Sequence, residues 1–119
     1  MREDERRYLP LSAATFHVLL ALRNGARHGY AIMRDVEQLS EGVVRLGPGT
    51  LYSAIKRLLA DGLIIESEER PDSHQDDERR RYYRLTDLGD RVYVAEVARL
   101  KNLITRATQR RRGPKLREA

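Results

Sequence analysis

The chain has 119 residues and no cysteine, which fits one small domain and excludes disulfides, thiolate zinc sites and a cysteine nucleophile. Because 34% of the residues are charged and no apolar run is long enough to cross a bilayer, we predict a folded cytoplasmic protein without a membrane partner. The formal net charge of +5 favours a polyanionic partner, since Lys and Arg neutralise phosphates.

Two helices are predicted in the first third of the chain. The charged start, residues 1–7, is expected to be a solvated end, although a polar first turn is the alternative. Residues 11–22 are almost wholly apolar after Ser12, a plausible N-cap, so we predict a central core helix there. The second helix is expected from His28, which helps to start it, to about Leu39 or Ser40.

A third helix is predicted between Pro48, which suits the first helical position, and Gly62, which suits a left-handed cap. Its inner stripe, expected to pack on the core, consists of Leu51, Ile55, Leu58 and Leu59. The opposite side is small, hydroxylated and basic, and it is formed by Gly49, Ser53, Lys56 and Ala60 with Thr50, Arg57 and Tyr52 at its flanks. Such a face suits a DNA major groove, but from the helix alone an ordinary solvated face is the commoner explanation.

A β-hairpin is predicted after Gly62, with strands over residues 63–70 and 79–85 around a polar loop. Because a lone hairpin is marginally stable in water, we expect it to pack on the helices. The Tyr52 side chain then has two possible roles. Its hydroxyl could donate a hydrogen bond to a phosphate, or its ring could pack against this hairpin. The sequence does not decide between them.

The last helix is expected to begin after a Thr86 N-cap and to run to about Arg110. Its apolar stripe suits a dimer interface better than a ligand or lipid surface, because the helix has no other partner in so small a domain. The basic tail beyond Arg110 is expected to be a solvated end. The stripe contains Tyr93, Val97, Leu100 and Ile104.

The predicted fold is mainly α with a two-stranded wing, in the order helix, helix, helix, hairpin, long helix. Helices two and three form a helix-turn-helix unit, and a hairpin directly after the third helix is the wing of a winged-helix domain. We therefore divide the chain into a winged-helix DNA-binding domain with a charged arm, residues 1–87, and a C-terminal dimerisation helix with a basic tail, residues 88–119.

Short motifs in this order resemble the PadR-like family of winged-helix transcriptional regulators, over residues 9–89. The motifs are Leu19-Leu20-Ala21-Leu22, His28-Gly29-Tyr30-Ala31-Ile32, Pro48-Gly49-Thr50-Leu51-Tyr52, Lys56-Arg57-Leu58, Asp61-Gly62-Leu63-Ile64 and Arg81-Tyr82-Tyr83-Arg84-Leu85-Thr86-Asp87-Leu88-Gly89. The single long helix that follows resembles the short branch of the family, whose last helix forms a homodimer.

The resemblance implies a homodimeric, sequence-specific DNA-binding regulator. It is expected to be a repressor that binds an inverted-repeat operator and leaves the DNA when a small-molecule inducer binds. The DNA-binding residues predicted on this basis are Gly49, Thr50, Tyr52, Ser53, Lys56, Arg57, Arg79, Arg80 and Arg81. The predicted dimer interface comprises Phe16, Tyr93, Val97, Leu100 and Ile104. Phe16 and Tyr93 are also the aromatic candidates for contact with an inducer near that interface.

One segment departs from the family pattern. The predicted wing tip, residues 71–78, contains four acids that phosphate would repel, so we expect the arginines at its base to make the contacts. This acidic tip also supports the alternative function, a winged-helix module that binds proteins and not specific DNA. We predict no enzyme, cofactor or metal, because His17, His28 and His74 are spread over separate elements and no catalytic set converges.

Overall fold

The computed structural model describes residues 3–71 and 80–110 of the chain. It confirms a mainly helical fold with an antiparallel wing and a long last helix. Arg79, the acidic wing tip after Pro71 and the tail after Arg110 lie outside the described residues. The elements in chain order are α1 (Glu3–Arg6), α2 (Ala13–Leu22), β1 (Arg27–His28), α3 (Gly29–Leu39), α4 (Pro48–Ala60), β2 (Ile64–Ser67), β3 (Tyr82–Leu85) and α5 (Asp87–Gln109).

Helix α2 is the central core helix, as its apolar composition predicts. The Ser12 hydroxyl caps it by accepting the Thr15 backbone N–H at 3.1 Å. Val18, Leu19 and Leu22 are fully or almost fully buried, and the core cluster that contains them includes residues of α3, α4, β2, β3 and α5. The other elements are therefore held against this one helix.

Residues 3–6 form α1, the polar first turn that was the alternative to a solvated end, and the prediction of a solvated end is wrong at Glu5. Glu5 is buried, and its Oε1 lies 3.3 Å from Nε of Arg91 on α5. Tyr8 and Leu9 pack against the core directly after this helix. The reason for the error is that a charged tetrapeptide has no apolar pattern, and its packing depends on an arginine far along the chain.

Helices α3 and α4 form the helix-turn-helix unit, and their caps agree with the sequence. His28 starts α3, because its Nδ1 accepts the Ala31 backbone N–H at 3.2 Å. At the end of α4, Gly62 has a φ of +74°. There the N–H groups of Gly62 and Leu63 bond the carbonyls of Leu59 and Leu58 at 3.1 and 3.0 Å. This pair of bonds is the Schellman arrangement that a glycine after a helix predicts.

The inner side of α4 is narrower than its sequence suggests. Leu51, Ile55 and Leu58 are buried, whereas Leu59 is 40% exposed. The assignment of Leu59 to the core was therefore wrong. It follows Leu58 by about 100° around the helix, which takes it past the edge of the buried side.

The wing contains a third strand that the sequence analysis did not predict. β3 is the central strand, with β2 on one edge and the two-residue β1 on the other. Tyr83 of β3 faces Glu66 of β2 and Arg27 of β1 in the register. Since β1 leads directly into α3, this pairing attaches the wing to the helix-turn-helix unit. β2 and β3 are shorter than the strands predicted over residues 63–70 and 79–85.

Helix α5 starts at the Thr86 cap, where the threonine hydroxyl accepts the Gly89 N–H at 3.0 Å. Its first half packs on α1, α2 and β3, and Gly89, Val92 and Glu96 are buried. Every residue from Lys101 to Arg110 is exposed. In the part of the chain that the structure describes, no helix combines the length and apolar character needed to cross a membrane.

Candidate nucleic-acid interface

The outer side of α4 is a continuous exposed surface, which we call the α4 face. It includes Gly49, Thr50, Tyr52, Ser53, Lys56 and Arg57, all of which are exposed. The surface has a positive charge, since neither Lys56 nor Arg57 forms a salt bridge with any residue in the ranges 3–71 and 80–110. The two cations and the three hydroxyls, of Thr50, Tyr52 and Ser53, suit contacts with phosphates and base edges.

Gly49 leaves the start of the α4 face flat. A Cβ built at this position would meet nothing within 4 Å, and the backbone φ is not positive. The fold therefore places no demand for glycine here. A missing side chain in this position lets another molecule approach the first turn of the helix closely. That first turn presents backbone N–H groups without intrahelical partners, which favour an anion.

The two edges of the α4 face lie against different parts of the molecule. Arg57 lines an open cavity of about 560 Å³ together with Tyr8, Ser12 and Thr15, at the start of α2. Tyr52 lies on the other edge, beside α3. The residues predicted to bind DNA on this helix thus form one surface, but Arg57 is at its margin and not at its centre.

Tyr52 lies between α3 and the wing, a position that is compatible with both alternatives, a phosphate contact and packing against the hairpin. Its hydroxyl lies over Gly29, where a Cβ would come within 2.6 Å of it, so the ring rests on the first turn of α3. It remains 53% exposed. With Tyr83 and Arg81 it lines a second cavity of about 320 Å³, between α3, α4 and the wing. Tyr52 therefore lies next to the wing, with about half of its surface exposed to solvent.

Arg80 and Arg81, at the base of the wing, border this second cavity and are exposed. Nη1 of Arg80 lies 3.2 Å from Nε2 of His28. Burial raises the pKa of Tyr83, and the positive charge of Arg81 opposes that shift. Both arginines extend the basic surface from α4 toward β3. The third predicted arginine, Arg79, lies outside the described residues.

The residues predicted for the dimer interface divide into two groups. Phe16 and Tyr93 stack on each other within one chain, with ring centroids 5.5 Å apart and planes 13° apart. The Arg23 guanidinium also lies 4.6 Å from the Tyr93 centroid.

The second group lies further along α5. Val97 and Leu100 are half-buried. Ile104 is 63% exposed, and it lies beside Leu103, which is 53% exposed. The most exposed apolar surface of α5 is therefore in its second half.

Glu96 is a buried residue that the sequence analysis missed. It is 1% exposed, and its Oε2 accepts the Leu11 N–H at 2.8 Å and an Arg99 N–H at 3.0 Å. The hydrogen bonds from Arg99 lower the pKa of this carboxyl, although burial opposes the shift. The sequence does contain a signal for this burial, because Glu96 is a carboxylate between Tyr93 and Val97, inside an otherwise apolar stripe.

Comparison with known proteins gives a consistent result. Residues 18–95 match the model of the Transcriptional regulator PadR-like family. The chain is 36% identical over 105 residues to the Transcriptional regulator Rv3488 of Mycobacterium tuberculosis, covering 83% of this chain and 87% of that protein. It is 51% identical over 53 residues to an uncharacterized 37.1 kDa protein in transposon TN4556 of Streptomyces fradiae, covering 44% of this chain but only 15% of that protein.

A solved structure shares the fold. The crystal structure of a PadR family transcription regulator from Clostridium difficile R20291 superposes with a TM-score of 0.67 at 24% identity. The likeness covers 82% of this chain and 97% of that one.

Proposed function

The chain belongs to the PadR-like family of transcriptional regulators, and from this premise we propose that it is a homodimeric, sequence-specific DNA-binding repressor. The observation that supports this most directly is the α4 face, which has two cations without a salt-bridge partner among the described residues. The arginines of the wing base lie on its Tyr52 side. A surface of this charge and shape fits the major groove with a phosphate backbone beside it.

Each part of this surface has a distinct role in the proposal. Gly49 and the first turn of α4 approach a phosphate, where the helix dipole and the free N–H groups favour an anion. Thr50, Ser53 and Lys56 contact phosphates or base edges in the groove. Tyr52, with Arg80 and Arg81, contacts the backbone beside the wing, and Arg57 does so from the α2 side.

The proposed dimer forms through the second half of α5. Leu103 and Ile104 are exposed there, and they follow directly on the half-buried Val97 and Leu100. A two-fold dimer buries the same apolar surface of both copies and presents two α4 helices to an inverted repeat. Half-sites about one helical turn apart, roughly 34–36 Å, match such an arrangement.

The same arrangement gives a route to induction. We propose that a small-molecule inducer binds beside the dimer interface and changes the distance between the two α4 helices. The functional division then follows the predicted boundaries, with DNA binding in residues 1–87 and dimerisation in residues 88–119. The Phe16 and Tyr93 rings cover one face of each other, and Arg23 also lies over the Tyr93 ring, so in this arrangement a flat inducer would stack on the outer face of Phe16.

The test compares two exposed lysines. Fluorescence anisotropy with the duplex upstream of the gene, at two salt concentrations, should show specific binding that weakens steeply with salt. Lys56→Ala should weaken binding by roughly tenfold and reduce the salt slope by about one, because one phosphate or base contact is lost. Lys101→Ala removes the same charge from the exposed half of α5 and should change neither quantity appreciably.

Two results would count against the proposal. No binding by the unmodified protein at micromolar concentration would favour the protein-interaction module. Equal effects of Lys56→Ala and Lys101→Ala would show that net charge matters and that the α4 face does not enter the groove. Thermal melting of both variants should remain at the value of the parent chain, since both lysines are exposed.

A further inference from the structure

The end of α4 and the start of α5 touch through their backbones. The Thr86 hydroxyl donates to the Gly62 carbonyl at 2.6 Å, and the Thr86 N–H donates to the Leu63 carbonyl at 3.1 Å. One turn later, a Cβ on Gly89 would lie 1.9 Å from that same Leu63 oxygen. Gly89 is therefore required here by contact and not by its φ. The first turn of α5 rests directly on the cap of α4.

A second attachment lies further along α5, at Glu96. This carboxylate bonds the Leu11 N–H, which belongs to the segment just before α2. It also bonds Arg99 on its own helix, so its charge is compensated in a buried position. Because α2 is the core helix on which α4 packs, Glu96 joins α5 to the same rigid unit that holds α4.

These two attachments are the outermost buried contacts of α5, and Val92 and Arg91 lie between them. Gly89 and Glu96 are roughly 10 Å apart along the axis, and the end of the helix lies roughly 20 Å beyond Glu96. A movement of about 1 Å at Gly89, with Glu96 as the pivot, thus moves the end of α5 by about 2 Å. The displacements in two subunits add to about 4 Å, which is comparable to the 3.4 Å rise of one base pair.

We infer that Gly89 and Glu96 are positioning residues that set the angle between α4 and α5, and with it the half-site spacing that the dimer accepts. The inference rests on the proposed function, since it requires that α5 joins two copies and that α4 binds DNA. A purely structural role for the same residues would lower thermal stability upon substitution but would leave the angle and the preferred spacing unchanged.

The angle can be measured without DNA. The chain has no cysteine, so Gly47→Cys and Thr105→Cys introduce one spin label at the start of α4 and one in the exposed half of α5. Gly47 has open space around its Cβ, and both positions are exposed. Pulsed electron paramagnetic resonance, with doubly labelled chains diluted in excess unlabelled protein, then reports the distance within one chain.

Gly89→Ala should shift this distance by about 1.3 Å, because α5 must move away from the Leu63 carbonyl and Thr105 lies about 13.5 Å beyond the pivot at Glu96. Glu96→Ala should broaden the distance distribution, since one attachment point is released. Thr86→Ser, which keeps both hydrogen bonds of the hydroxyl, is the matched control and should leave the distribution unchanged. If Gly89→Ala fails to fold, Glu96→Ala tests the inference alone.

The spacing is tested with duplexes that carry two half-sites selected by the parent protein, separated by a series of single base-pair steps. Gly89→Ala should shift the best spacing by about one base pair, and Glu96→Ala should flatten the preference, with affinity for a single half-site unchanged. Lower melting temperatures with the distance and the spacing unchanged would overturn the inference. Failure of the parent protein to bind DNA would instead overturn the proposed function, and the distance measurement would still decide whether these residues fix the angle.

Discussion

Helices α4 and α5 both expose one side, but they are attached to the core in different ways. Buried side chains recur along α4 from Leu51 to Leu58, whereas α5 has buried residues only as far as Glu96. The exposed side of α4 is basic and polar. The exposed half of α5 includes two adjacent large apolar residues, Leu103 and Ile104.

The difference indicates two kinds of partner. A basic surface on a helix fixed along its length is suited to a rigid polyanion such as duplex DNA. An apolar surface on a helix that extends away from its core gains most by pairing with another apolar surface, and a second copy supplies one. Substitutions in either helix should therefore affect different properties of the protein, assembly for α5 and DNA binding for α4.

The largest effect is expected at the exposed half of α5. Leu103→Glu combined with Ile104→Glu should convert the dimer to a monomer, because the assembled interface would bury four unpaired carboxylates at a cost of several kcal/mol. Sedimentation equilibrium should show the mass of one chain. The control is Val43→Glu, which places a carboxylate at an 84% exposed apolar position outside α5 and should leave the dimer intact.

A dimer that survives the double substitution would place the interface elsewhere on the molecule. If the unmodified protein were a monomer, the exposed half of α5 would not form a dimer, and the contrast between α4 and α5 would not hold. The monomeric variant should keep its helical circular dichroism, since both positions are exposed within one chain.

A smaller effect is expected in the attached half of α5. Glu96→Gln should lower the free energy of unfolding at neutral pH by about 1–3 kcal/mol, because the amide loses the charged hydrogen bonds with Arg99. Urea denaturation at a fixed protein concentration measures this difference.

The difference should depend on pH in a defined direction. The folded-state pKa of Glu96 is below its ordinary value of 4.5, so the ionised carboxyl stabilises the folded chain. The advantage over Glu96→Gln should be complete above about pH 4.5 and should disappear as the pH falls through the lowered folded-state pKa. An advantage that persists unchanged to about pH 2 would show that the ionised carboxyl is not the source of the stabilisation.

Local signals predicted most of the fold. Pro48 and Gly62 bound α4, and Ser12 and Thr86 cap α2 and α5, because each of these effects depends on residues within one turn. The β1 strand could not be predicted, since two residues have no periodicity and their pairing depends on the distant β3. The burial of Glu5 in α1 could not be predicted for the same reason, because its partner Arg91 is on α5.

The candidate site was predictable to the extent that it follows helical periodicity. The residues of the α4 face are exposed together, as a 3.6-residue repeat requires. The position of Tyr52 over Gly29 depends on how α3 packs against α4, which no local pattern specifies. The contact between Phe16 and Tyr93 within one chain is likewise tertiary, and so is the role of Glu96.

The central claim is that two copies of this chain present two α4 helices to one duplex. Selection from a pool of random duplexes, followed by sequencing of the bound fraction, tests it most directly. We predict an inverted repeat whose half-sites are about one helical turn apart, and a single half-site for the Leu103→Glu and Ile104→Glu variant. Enrichment of no motif, or of the same single half-site by both proteins, would contradict the account.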